Sequence, residues 1–104
     1  MAKGFDPAEL MNQARKMKDQ MAKAQEALKE RVVEGEAGGG LVQAFVNGGS
    51  EVVGIKIMPD AVDTDDLGLL EDLLLVAINA GLKKAEALSE DEMGKITGGM
   101  GGLF

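Results

Sequence analysis

The sequence predicts an α+β fold of order α-β-β-β-α, with a three-stranded antiparallel sheet and a long projecting N-terminal helix. Three observations carry this. A helical pattern with a narrow apolar stripe fills the first thirty residues. A glycine-punctuated, alternating stretch follows over Val33–Ile57. A second helical pattern, apolar on most sides, occupies Leu67–Leu88. At 104 residues this is one domain. The expected division is an α-β3-α domain over residues 1–92 and a flexible Gly/Met-rich tail over residues 93–104.

The first helix is expected over Lys3–Arg31. Asp6 suits the N-cap, Pro7 the first helical position, and Glu9 completes an Asp-x-x-Glu capping box. Phe5 and Leu10 are placed to form a hydrophobic staple. Leu10, Ala14, Met17, Met21, Ala24 and Leu28 follow a heptad spacing. Arg15, Lys16, Lys23 and Lys29 fall on the other side, with Asp19 and Glu26 beside them. Such a helix is about 35–40 Å long, longer than a three-stranded sheet is wide, so one end overhangs or meets another chain.

The meander comes next. Arg31–Glu36 forms a short first strand, ended by Gly38–Gly40. Leu41–Asn47 and Glu51–Met58 alternate, with Asn47-Gly48 as the hairpin signal between them and Pro59 as the stop. Val42, Ala44, Val46, Val53, Ile55 and Ile57 compose the expected core face. Phe45 and Val52 make the other face partly apolar, which points to a partner. Asp63 or Thr64 is expected to cap the second helix. Leu70, Leu73, Leu74, Ala77, Ile78, Gly81, Leu82 and Ala85 form a wide apolar face there, and Leu69, Leu75 and Val76 extend it nearly all round. One sheet covers one side of a helix, so a tight homodimer is the economical way to bury the rest. Phe45, Leu70, Leu74, Ala77, Ile78 and Gly81 are the candidate dimer-interface residues. Ser89-x-x-Glu92 reads as the cap of one further short turn.

Composition excludes several chemistries. No cysteine or histidine is present, which removes thiolate catalysis, imidazole acid–base chemistry and most zinc sites. No catalytic residue, metal or cofactor is expected, and the protein is not expected to be an enzyme. Gly35–Gly40 lacks the G-K-[ST] of a phosphate-binding loop. Asp60, Asp63, Asp65 and Asp66 lack the spacing of a calcium loop and read as helix-capping carboxylates. No membrane span or signal peptide is read, and a cytoplasmic protein is expected. Net charge is −7 but uneven: Met1–Arg31 carries seven basic and five acidic side chains, a net +2, and the remainder is net −9. The seven methionines suit a surface that packs against a partner.

Five stretches together carry a resemblance: V-E-G-E-A-G-G-G-L-V (Val33–Val42), V-N-G (Val46–Gly48), E-V-V-G-I-K-I (Glu51–Ile57), L-E-D-L-L-L-V-A-I-N-A (Leu70–Ala80) and M-G-K-I-T-G-G-M (Met93–Met100). The chain resembles the YbaB/EbfC family of bacterial nucleoid-associated proteins over nearly its whole length. The resemblance implies a tweezer-shaped homodimer that binds double-stranded DNA, located at the nucleoid, with a role in nucleoid organisation or gene regulation. The family often has lysine where this chain has Gln43 and Gly49. Contacts to DNA phosphates are therefore expected from Arg15, Lys16, Lys18, Lys23 and Lys29 of the first helix, helped by Lys83 and Lys84. The rival reading is an acidic dimeric interaction module, with little DNA binding of its own. It would dock DNA replication or recombination proteins through Phe45, the methionine stripe and the tail.

Overall fold

In the computed structural model, which describes residues 6–98, the elements are helix α1 (Pro7–Lys29), strands β1 (Val32–Ala37), β2 (Val42–Asn47) and β3 (Val52–Ile57), a 3-10 turn (Pro59–Ala61) and helix α2 (Leu67–Gly98). The strands pair antiparallel in the order β1-β2-β3. Asp6 caps α1, its carboxylate accepting from the Ala8 amide at 3.0 Å. The Phe5 staple and residues 99–104 lie outside the described residues.

The core sits between α2 and the first two strands. Val42, Ala44 and Val46 point from β2 into it and are fully buried, joined by Ala37, Ala61 and Ala77. Leu41, Leu70, Leu73, Leu74 and Ile78 pack half-buried around this centre. The small residues set how close the helix lies. A Cβ added at Gly35 would strike the Gly81 and Ala77 backbones, and one at Gly81 would meet Val46 at 2.7 Å. Here the α2 backbone rests directly on β1.

The sequence placed Val53, Ile55 and Ile57 in the core. Register does put Ile57 beside Val42 and Ile55 beside Ala44, on the same face. Yet Ile55 and Ile57 are each 40% exposed and Val53 is 55% exposed. The reason is the offset of α2. Leu73 lies over Gly38, and the Lys84 Nζ donates to the Glu34 carbonyl, so this flank of the helix covers β1. β3 is left as an edge whose apolar face is uncovered within the protomer.

The second helix also runs further than expected. No break follows Leu88, and residues 93–98, read from sequence as the start of a flexible tail, are helical. Beyond the sheet, Leu88, Ser89, Glu92, Met93 and Ile96 are half-buried at helical spacing, as are Met17, Met21 and Ala24 of α1. These stripes mark where the two helices run side by side. Ion pairs from Lys95 to Asp91 and Glu92, and a Thr97 hydroxyl bond to the Met93 carbonyl, add support within α2. Those contacts outweigh Ser89 and Gly94 as helix-weakening residues. Its cap also differs from expectation. Asp66 accepts from the Leu69 amide at 3.3 Å, whereas Asp63 accepts from Asp65 in the preceding turn.

α1 leaves the body at one point. The Gly48 amide in the β2–β3 turn is shared between the Leu28 and Arg31 carbonyls, both at 2.9 Å. The buried Asn47 side chain holds that turn, accepting from the Gly49 and Glu51 amides and donating to the Glu51 carboxylate. Leu28 is the buried anchor, packed against Gly48. From there the helix projects, giving a rod of 78 × 20 × 16 Å.

Gly35→Ala should destabilise the fold by about 3 kcal/mol, because helix and sheet must separate to admit one methyl group. Gly39→Ala, at a positive φ but facing open space, should cost only about 1 kcal/mol. Urea unfolding of the two variants checks the contrast.

Candidate nucleic-acid interface

The basic residues of α1 are ordered by helix geometry. At 100° per residue, Lys16 and Lys23 share one flank, one above the other. Lys18 and Lys29 share the opposite flank. Arg15 stands on the crest between them, close in angle to Asp19 and Glu26. All seven side chains are exposed. The Lys29 ammonium pairs with the Glu26 carboxylate at 3.3 Å, an exposed contact that holds it weakly. The arm thus presents two basic lines with an acidic crest between them.

Lys83 and Lys84 do not extend those lines. They sit on α2 over the sheet, while Arg15–Lys23 lie out on the arm. Lys84 is further tied down by its 2.8 Å bond to the Glu34 carbonyl. On the sheet, Gln43 donates to the Glu34 carboxylate at 2.7 Å, so this outer face is polar and acidic.

Among the described residues, no three His, Cys, Asp or Glu side chains converge as a metal would require. No helix among them is long and apolar enough to cross a membrane.

Comparison with known proteins agrees with the architecture. The crystal structure of an uncharacterized protein from Helicobacter pylori superposes with a TM-score of 0.74 at 25% identity, covering 84% of this chain and 91% of that one. A nucleoid-associated protein of Thermoanaerobacter pseudethanolicus is 48% identical over 103 residues, covering 97% of this chain and 93% of the relative. One from Chloroflexus aurantiacus is 50% identical over 96 residues, covering 92% and 96%. The model of the YbaB/EbfC DNA-binding family matches residues 3–100. The chain belongs to that family.

In this YbaB/EbfC member the residues expected at a dimer interface divide into two groups. Ala77 and Gly81 are buried against the chain's own sheet, and Leu70 packs on the same core. These three are committed within the protomer. Leu74 and Ile78 also pack half-buried on this core, on the flank away from β1. Leu75, on the same flank by helix geometry, is 61% exposed. Phe45 lies on the opposite side of the sheet, half-buried against Gly54. Residues that sequence reading did not assign to the site hold the arm instead. The Arg31 guanidinium reaches Glu92 at 3.0 Å, and the Gly48 amide fastens the helix end. The Asn47-Gly48 turn was visible in the sequence, but its tie to Leu28 was not.

The Lys95 ammonium, and after it the Arg31 guanidinium, hold the Glu92 carboxyl below its ordinary value of 4.5. A carboxyl depressed by folding stabilises fully above its unfolded pKa, and that stabilisation is lost as pH falls through the folded value. The Arg31–Glu92 tie should therefore persist at pH 4.5 and open only as pH falls further, through the lower folded value. The Arg31 side-chain NMR resonances should titrate with a midpoint under 4.5, and Glu92→Gln should abolish the step.

Proposed function

We propose that this protein binds double-stranded DNA as a homodimer through phosphate contacts from Arg15, Lys16, Lys18, Lys23 and Lys29, and serves nucleoid organisation or gene regulation at the nucleoid. The observation that carries this reading is the pair of basic lines on an arm held clear of an otherwise acidic body. Attraction to a polyanion needs local positive charge at the contact rather than a positive total. Membership of a DNA-binding family and relatives named as nucleoid-associated proteins support the same reading. Lysine and arginine reaching phosphates position a protein on the duplex without reading bases, so binding is weakly sequence-dependent. Among the described residues no helix is disposed to enter the major groove as a recognition helix, and the sequence has too few aromatic residues, three phenylalanines, to form a stacking platform for unpaired bases. The role is one of binding, with no catalytic step.

The homodimer is supported by the apolar residues left open on each protomer, Ile55 and Ile57 of β3 with Leu75 of α2. A two-fold axis beside β3 brings the two sets together and covers both. It also supplies two arms to one duplex. The pair Ile55→Asp and Ile57→Asp should halve the mass measured by sedimentation and abolish DNA binding. Val76→Asp, on the β1 flank, should leave the dimer intact.

Fluorescence-anisotropy titrations at several salt concentrations test the DNA contact. With about five phosphates neutralised, log K against log[salt] should have a slope of about −4 to −5. Lys16→Ala and Lys23→Ala should each reduce that slope by about 1 across unrelated sequences. Lys84→Ala should leave it unchanged, since that ammonium is occupied by the Glu34 carbonyl. Absence of binding to duplex at low salt would sink this reading and leave protein docking through Phe45 and the methionines.

A further inference from the structure

The flank of α2 beside β1 carries a second apolar line. Leu69, Leu73, Val76, Ala80, Lys83 and Ala87 follow a 4-3-4-3-4 spacing and share one side of the helix. Leu73 is half-buried over Gly38, but Leu69 is 45% exposed and Val76 is 56% exposed. Two opposite charges border the line. By helix geometry Asp72 and Lys83 lie on the same edge of it, the edge away from β1. Both are exposed, and neither enters an ion pair among the described residues.

We propose that this flank joins α2 to the α2 of a second copy, antiparallel about a two-fold axis at the level of Ile78, so that Asp72 of each copy meets Lys83 of the other. Charge selects the arrangement. A two-fold rotation across antiparallel helices keeps both residues on one edge and exchanges the helix ends. Asp72 lies six residues before Ile78 and Lys83 five after it, so both pairs form at once. A parallel pair would place each charge at the level of its like. The apolar residues agree with the antiparallel register. Val76 comes opposite Ala80 and Leu69 opposite Ala87, a large side chain against a small one each time. The stem of Lys83 lies over Leu73 while its ammonium reaches out to the carboxylate.

This contact is separate from the one proposed beside β3, which lies on the opposite flank of α2. It involves only a few apolar side chains per copy, so it is weaker than a tight dimer interface. Two different two-fold contacts on one chain join dimers into a closed tetramer or an open row. Either assembly presents four or more arms, and binding to a long duplex then gains from multivalency. The contact also gives Lys83 a use, although it stands away from the basic lines of α1. The inference rests on the homodimer reading only for the count of chains. Without the β3 contact the same flank would pair two single protomers.

Sedimentation equilibrium of the full chain at low salt is the test. From about 1 μM to about 1 mM, the range of a weak contact, the mass should at least double. Lys83→Asp leaves only carboxylates at the contact and should hold the mass at its dilute value. Asp72→Lys should do the same with ammonium groups. The double variant Asp72→Lys, Lys83→Asp exchanges the charges and should restore the rise. An equimolar mixture of the two single variants should also associate, because every lysine then faces an aspartate. A wild-type mass that does not rise with concentration would overturn the inference. So would a rise that survives Lys83→Asp, or a double variant that associates no better than the single ones. The homodimer reading is checked apart from this, by the dilute mass. A dilute mass of one protomer defeats that reading alone, and the charge series still decides this one.

Discussion

The contact on which this molecule depends is the backbone-to-backbone approach of α2 and β1 at Gly35 and Gly81. Two absent side chains let the helix settle over β1 and β2 rather than over the middle of the sheet. That offset has two results. Ile55 and Ile57 on β3 share a face with the core but remain outside it. The helix, aligned along β1, also runs off the end of the sheet and continues beside α1. Both the exposed apolar strip and the two-helix stem of the arm follow from one close approach.

The arm has a different kind of attachment. One buried leucine, one shared amide and the Arg31–Glu92 ion pair fix the base of α1, and α2 packs alongside the turns beyond. Hydrogen bonds carry most of the direction, because a leucine contact is tolerant of rotation and an amide shared by two carbonyls is not. Asn47 matters here through the turn it holds rather than through any contact with α1. The β2–β3 hairpin and the helix end thus behave as one piece, and the charges along α1 are aimed by a turn in the sheet.

Much of this was legible in the sequence, because the signals were local. Alternation located all three strands to within about a residue, and the Asp6-Pro7 pair marked the start of α1. Helical periodicity sufficed to place Arg15, Lys16, Lys18 and Lys23 in solvent. What escaped was set by residues distant in the chain. Gly35 and Gly81 each read as ordinary glycines until they are brought together, so the exposure of β3 could not be seen. Ser89 read as a cap and Gly94 as a weak point, yet packing against α1 carries the helix through both. Lys84 has the composition of a phosphate contact but spends its ammonium on a neighbouring carbonyl. Four aspartates in seven residues pointed to the right role, capping, but the expected cap was Asp63 or Thr64, whereas Asp66 caps α2.

The base of α1 at Leu28 and Gly48, with α2 alongside the turns beyond it, gives the arm the mechanics of a cantilever stiffened near its root. Beyond its base at Leu28 the helix extends about 30 Å, so a rotation of 10° at the Gly48 turn displaces the tip by about 5 Å. Small adjustments of a few backbone bonds at that turn are thereby geared up into the position of the charges along the arm.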